Sequence, residues 1–66
     1  MQILLNGTKR EVAPHSTLAD LLGSLDLSGQ RFAVEINEEL VPRSEHAVRQ
    51  LTADDRVEIV QAIGGG

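Results

Sequence analysis

Residues 16–25 read Ser16-Thr17-Leu18-Ala19-Asp20-Leu21-Leu22-Gly23-Ser24-Leu25, and they carry the clearest helical period in the chain. Leu18, Leu21, Leu22 and Leu25 fall at i, i+3, i+4 and i+7, a single apolar stripe. Ser16 or Thr17 can cap the helix, and Asp20 sits where a capping-box acid supports either start. Leu27-Ser28-Gly29 marks its expected end.

On both sides of this helix the pattern switches to strands. Met1–Leu5 is a short apolar run ending in Asn6-Gly7, the strongest two-residue hairpin signal. A second strand follows over residues 9–12 and is broken by Pro14. After the helix, residues 31–36 alternate, with Phe32, Val34 and Ile36 on one face and Arg31, Ala33 and Glu35 on the other. Asn37-Glu38-Glu39 makes a tight connection to Leu40-Val41, and Pro42 ends that strand because it cannot donate to a ladder. Residues 43–51 read as a turn of helix plus irregular chain, and residues 52–55 as a turn. Residues 56–61 form the last strand, with Val57 and Ile59 inward.

The order is β-β-α-β-β-β. With one main helix, the economical packing is a mixed sheet curled over it, the leucine stripe filling the concave face. This is an α+β fold of the β-grasp, ubiquitin-like type. Its first and last strands are expected side by side and parallel at the centre. The chain divides into a domain over residues 1–63 and a flexible tail, Gly64-Gly65-Gly66.

Composition narrows the function. A chain of 66 residues is one domain at most, and one of this size buries only about 60% of its unfolded surface, leaving little room for a deep catalytic pocket. There is no cysteine, so disulfides, thiolate metal sites and CxxC redox chemistry are excluded. Six basic residues stand against ten acidic ones, a net charge of −4. Residues 1–33 balance to zero, so the excess lies in residues 34–66, which would repel phosphates and steer toward a basic protein surface. Phe32 is the only aromatic residue, which argues against nucleic-acid binding by base stacking. The start lacks the basic segment and long apolar run of a secretory signal, and no stretch is long and apolar enough to span a membrane. The expected location is the cytoplasm.

The glycine tail has a bland reading, a frayed terminus, and a chemical one. A carboxylate is a poor electrophile because its charge repels nucleophiles. Coupling it to AMP supplies a leaving group, but the terminus must then enter a narrow active site on another protein. Glycine lets the backbone approach closely and take φ of either sign. Ordering such a tail costs about 1–2 kcal/mol per residue, which contacts made by the folded body must offset. On this reading the Gly66 carboxylate is the working group, Gly64 and Gly65 thread into partner sites, and the chain itself is not an enzyme.

Three blocks carry a family resemblance across essentially the whole chain: Met1-Gln2-Ile3-Leu4-Leu5-Asn6-Gly7, Asn37-Glu38-Glu39-Leu40-Val41-Pro42-Arg43, and Arg56-Val57-Glu58-Ile59-Val60 running to Gly65-Gly66. The sequence resembles the ThiS family, sulfur carriers of thiamine biosynthesis. The resemblance implies that an E1-like adenylyltransferase, ThiF, uses ATP and magnesium to adenylate Gly66. Sulfur from a persulfide donor then replaces AMP and leaves a thiocarboxylate, which the thiazole synthase ThiG consumes. No cofactor is implied on this chain itself. It departs from the family at His46, where relatives often carry a bulky aromatic, at Ala53-Asp54-Asp55, where Gly more usually precedes Asp, and in its third glycine. A carrier like the small subunit of molybdopterin synthase, a lysine-conjugating modifier and a passive ubiquitin-like interaction module are the rival readings.

The remaining polar residues have bland readings beside functional ones. His15 and His46 read as solvated loop histidines, and no metal-ligand motif is present. Glu35, Glu38, Glu39 and Glu58 read as a solvated face whose functional use is docking to a basic partner. Leu4 and Val60 are expected to form an apolar docking patch on adjacent central strands. Arg43 is either a guide for a partner acid or anion, or an ordinary surface arginine.

Overall fold

The computed structural model of the protein describes residues 1–27 and 30–61. Five strands pair in the order β2-β1-β5-β3-β4: β1 Gln2–Leu5, β2 Thr8–Glu11, β3 Phe32–Ile36, β4 Glu39–Val41 and β5 Arg56–Gln61. The two hairpins, β1–β2 and β3–β4, are antiparallel, and β5 runs antiparallel to β3 and parallel to β1. The expected central, parallel pairing of first and last strands is therefore present. One α-helix, α1 Leu18–Gly23, and one 3-10 turn, Arg43–Glu45, complete the described elements.

Both hairpins close with two residues at positive φ, the type I′ geometry that matches strand twist. Asn6 and Gly7 have φ of 49° and 83°, Asn37 and Glu38 of 52° and 72°. The first pair suits this conformation. In the second, Glu38 holds a left-handed conformation that is unfavourable for a residue with a Cβ. Replacing Glu38 with Gly is expected to stabilise the fold by about 0.5–1 kcal/mol, read as a higher midpoint in urea unfolding with an unchanged slope. Asp54 is also left-handed at φ 69°.

Helix α1 starts where the capping chemistry places it. Thr17 accepts from the Asp20 N–H at 3.1 Å, and the Asp20 carboxylate accepts from the Thr17 N–H at 2.9 Å, a full capping box. Its end is earlier than the leucine spacing implies. The helix closes at Gly23, with Ser24 as its cap, so Leu25 lies outside it. Gly23 is a poor helix former. The Ser24 hydroxyl takes the Leu21 carbonyl at 2.6 Å while the Ser24 N–H takes it at 3.0 Å, tightening the last turn. The expected stop at Ser28-Gly29 lies outside the described residues.

Leu18 and Leu21 meet Ile3, Val34, Ile36, Val41, Leu51 and Val57 in one buried cluster under the sheet. Leu5, Leu22, Phe32 and Ile59 pack at its margin. Residues 43–51 fold against the start of α1: Leu18 N–H donates to the Arg49 carbonyl, Ala19 N–H to that of His46, and Leu51 N–H to that of Ser16. This docking explains why Leu51, in a stretch without strand or helix periodicity, is core.

A candidate docking face on the last strand

Strand β5 sits at the centre of the sheet, braced on each side by a turn asparagine. On the β1 side, backbone N–H groups of Leu4 and Asn6 donate to the carbonyls of Asp55 and Val57, both at 2.9 Å. The Asn6 side-chain carbonyl then accepts from the Ile59 N–H at 2.8 Å. On the β3 side, Asn37 N–H donates to the Arg56 carbonyl at 2.8 Å, and its side-chain carbonyl accepts from the Arg56 N–H at 3.0 Å.

Below Arg56 lies the one buried charged residue among those described, Asp55, at 5% exposure. Its carboxylate accepts from the Asn37 amide at 3.0 Å, the Thr52 N–H at 2.8 Å and the Thr52 hydroxyl at 2.9 Å. Burial pushes the Asp55 carboxyl up. The Thr52 N–H, the Asn37 amide, the Thr52 hydroxyl and the Arg49 charge together outweigh burial and hold it below the ordinary aspartate value. Nothing in the sequence periodicity marks this cluster. The available signal is a turn asparagine and a Thr-x-x-Asp spacing, both of which favour side-chain bonds to backbone.

The outer face of the sheet carries the residues expected to dock partners. Arg56, Glu58 and Val60 alternate with the inward Val57 and Ile59, and Val60 is 54% exposed. Val60 lies opposite Ala33, itself exposed. Glu58 lies opposite Glu35, so two like charges face each other across the ladder and favour a basic group between them.

Leu4 does not join Val60. It pairs with Arg56, four residues earlier along β5, which puts it about 13 Å down the strand, and it is only half-buried rather than fully exposed. The parallel register sets this separation, and adjacency of strands alone could not reveal it. On this sheet an apolar residue that the sequence pattern did not mark is Leu40, 65% exposed, opposite Glu35 on β4. Arg43 lines a groove with Leu40, Pro42 and His46 at that edge.

His46 is a correction. It is half-buried, not a solvated loop residue, and its Nε2 lies 3.2 Å from the Val41 carbonyl, which can only accept. His15 is exposed as expected. No group of three or more His, Cys, Asp or Glu suited to a metal ion occurs among the described residues. No helix among them is long and apolar enough to cross a membrane. Gly64, Gly65 and Gly66, and with them the division at residue 63, lie outside the described residues.

A mixed sheet clasping one helix, with glycines following its central strand, defines a β-grasp protein of the ubiquitin-like class. The ThiS family model matches residues 3–66, and the chain belongs to the ThiS family. It is 35% identical over 66 residues to the sulfur carrier protein ThiS of Escherichia coli K12, covering 100% of both chains. The crystal structure of the thiamine biosynthesis protein ThiS from Geobacter metallireducens superposes with a TM-score of 0.86 at 28% identity, again covering both chains completely. A thiazole synthase of Paramagnetospirillum magneticum is 39% identical over 66 residues, and there the chain spans 20% of the relative's length.

Proposed function

We propose that this protein is a cytoplasmic sulfur carrier of thiamine biosynthesis and that sulfur travels as a thiocarboxylate on Gly66. The observation that carries this reading is the family match running through Gly66, on a chain whose central strand ends at Gln61. A carboxylate there becomes reactive only after activation, so the partner set is an E1-like adenylyltransferase (ThiF) using ATP and magnesium, a persulfide donor, and a thiazole synthase (ThiG). The chain binds no cofactor and catalyses no step itself. Gly64 and Gly65 admit the backbone to a narrow site because they carry no Cβ. The likeness to part of a thiazole synthase supports that enzyme as acceptor, since a tethered carrier works at high effective concentration.

Docking falls to the outer face. Val60 supplies the apolar contact, Glu58 with Glu35 the acidic one, Arg43 reaches a partner acid at the β4 edge, and Leu4 extends the face toward β2. The test is ATP–pyrophosphate exchange by the cognate adenylyltransferase. Wild-type carrier is expected to stimulate it. The double variant Leu4→Asp/Val60→Asp is expected to raise the KM for the carrier about tenfold or more, with little change in kcat. An unchanged KM would remove these two residues from the docking face, and absence of stimulation by wild type would remove the carrier role.

A further inference from the structure

Strand β5 has an unusual ladder. In a parallel pair, one residue donates its N–H to one carbonyl of the neighbouring strand and accepts at its own carbonyl from the N–H two residues further along. Asn6 makes the first bond normally, to the Val57 carbonyl. Its backbone then enters the type I′ turn and leaves the ladder, since the pairing of β1 with β5 stops at Leu5 and Val57. The second bond is still made, but by the Asn6 side chain, which accepts from the Ile59 N–H.

Asn37 does the same on the other side. It donates its N–H to the Arg56 carbonyl, turns away, and receives the Arg56 N–H on its side-chain carbonyl. Both turns therefore complete the ladder of the one strand that leads to the glycines. The Asn37 bond fixes the start of β5. On the β1 side the Asn6 bond lies one rung beyond the last backbone pairing, while on the other side β3 stays paired through Gln61.

The geometry points to Asn6 as a positioning residue for the C-terminal tail: its side-chain carbonyl replaces a diverted backbone carbonyl and braces the β1 side of β5 at Ile59, opposite the β3 pairing that runs on to Gln61. A tail rooted on a fixed strand samples fewer directions, so a docked body presents the terminus to an active site more often. The functional half of this role rests on the carrier reading of Gly66. The structural half rests on the Asn6–Ile59 hydrogen bond and the ladder around it.

The test uses two variants of the full chain. Asn6→Gly allows the positive φ without steric strain and removes the side chain that carries the carbonyl. Asn6→Asp keeps an acceptor at the same place. Amide hydrogen exchange at Ile59 is expected to quicken about tenfold in Asn6→Gly relative to Val57, the size of one lost hydrogen bond. Adenylation by the cognate enzyme is expected to lose several-fold in kcat with KM held, because the docking face is intact. Asn6→Asp is expected to restore both. Unchanged Ile59 exchange in Asn6→Gly overturns the bracing. Faster exchange with unchanged kcat overturns the positioning role. Should wild-type carrier itself fail to be adenylated, the carrier reading falls separately, and the exchange arm alone decides the bracing.

Discussion

A chain lacking Gly66 is expected to fold like the full-length protein and to be refused by the adenylyltransferase. The described fold closes at Gln61, and every buried residue in it lies before that point. Unfolding midpoint and circular dichroism should therefore be unchanged. The chemistry should not survive. Each residue removed shortens an extended chain by about 3.5 Å, so the carboxylate stops well short of the α-phosphate it must attack. A misplacement of about 1 Å already costs on the order of a hundredfold in a positioned reaction, and a shortfall of a whole residue should abolish adenylation. Gly66→Ala is the informative companion. It keeps the reach and the carboxylate and adds only a Cβ, so it should slow activation without abolishing it. Wild-type rates from the shortened chain would show that the body, not the terminus, is what the enzyme recognises.

Asp55→Ala is expected to destabilise the fold by about 3 kcal/mol, because a buried carboxylate with charge-assisted hydrogen bonds is removed and its donors are left facing a void. A domain of this size has roughly 0.1 kcal/mol of stability per residue, so the loss is a large share of the whole. In thermal unfolding it should appear as a fall of roughly 15 °C. The effect has a pH signature. The folded carboxyl is held below its unfolded value, so the unfolded chain binds the proton first as pH falls. The Asp55 contribution is therefore fully present above the unfolded pKa, about 3.9, and fades as pH drops through the lower folded value. The gap between wild type and Asp55→Ala should be constant near neutrality and narrow below about pH 4. A gap that did not narrow would mean the carboxylate form is not what the Thr52 and Asn37 donors hold.

These two sites differ in how plainly the sequence announces them. Asn6-Gly7, the alternation over 32–36 and the run from Arg56 lead to the sheet order, because turn chemistry and period are local properties. The helix boundary is also local, but leucine spacing alone overshoots it: Leu25 keeps the phase while Gly23 and the Ser24 hydroxyl close the turn. The Leu4–Val60 separation is not local at all. It follows from the parallel register, in which Leu4 meets Arg56, and no pattern within either strand states that register. In the Asn37–Asp55–Thr52 cluster the Thr52–Asp55 bonds are a local turn, but Asn37 joins them only once β3 and β5 are paired. His46 shows the opposite failure. A loop position and a polar side chain suggest solvent, yet the ring packs toward the Val41 carbonyl because residues 43–51 lie against the core.

If Gly66 carries sulfur, the mass of the C-terminal peptide will report it. The carrier is incubated with ATP, magnesium, its adenylyltransferase and a persulfide source. Oxidation of Met1 adds nearly the same mass as exchange of oxygen for sulfur, so the change must be mapped to Gly66 and shown to react as a thiocarboxylate. That modification is expected on the full chain and not on the chain lacking Gly66. An unmodified Gly66 alongside a demonstrably active partner enzyme would contradict it.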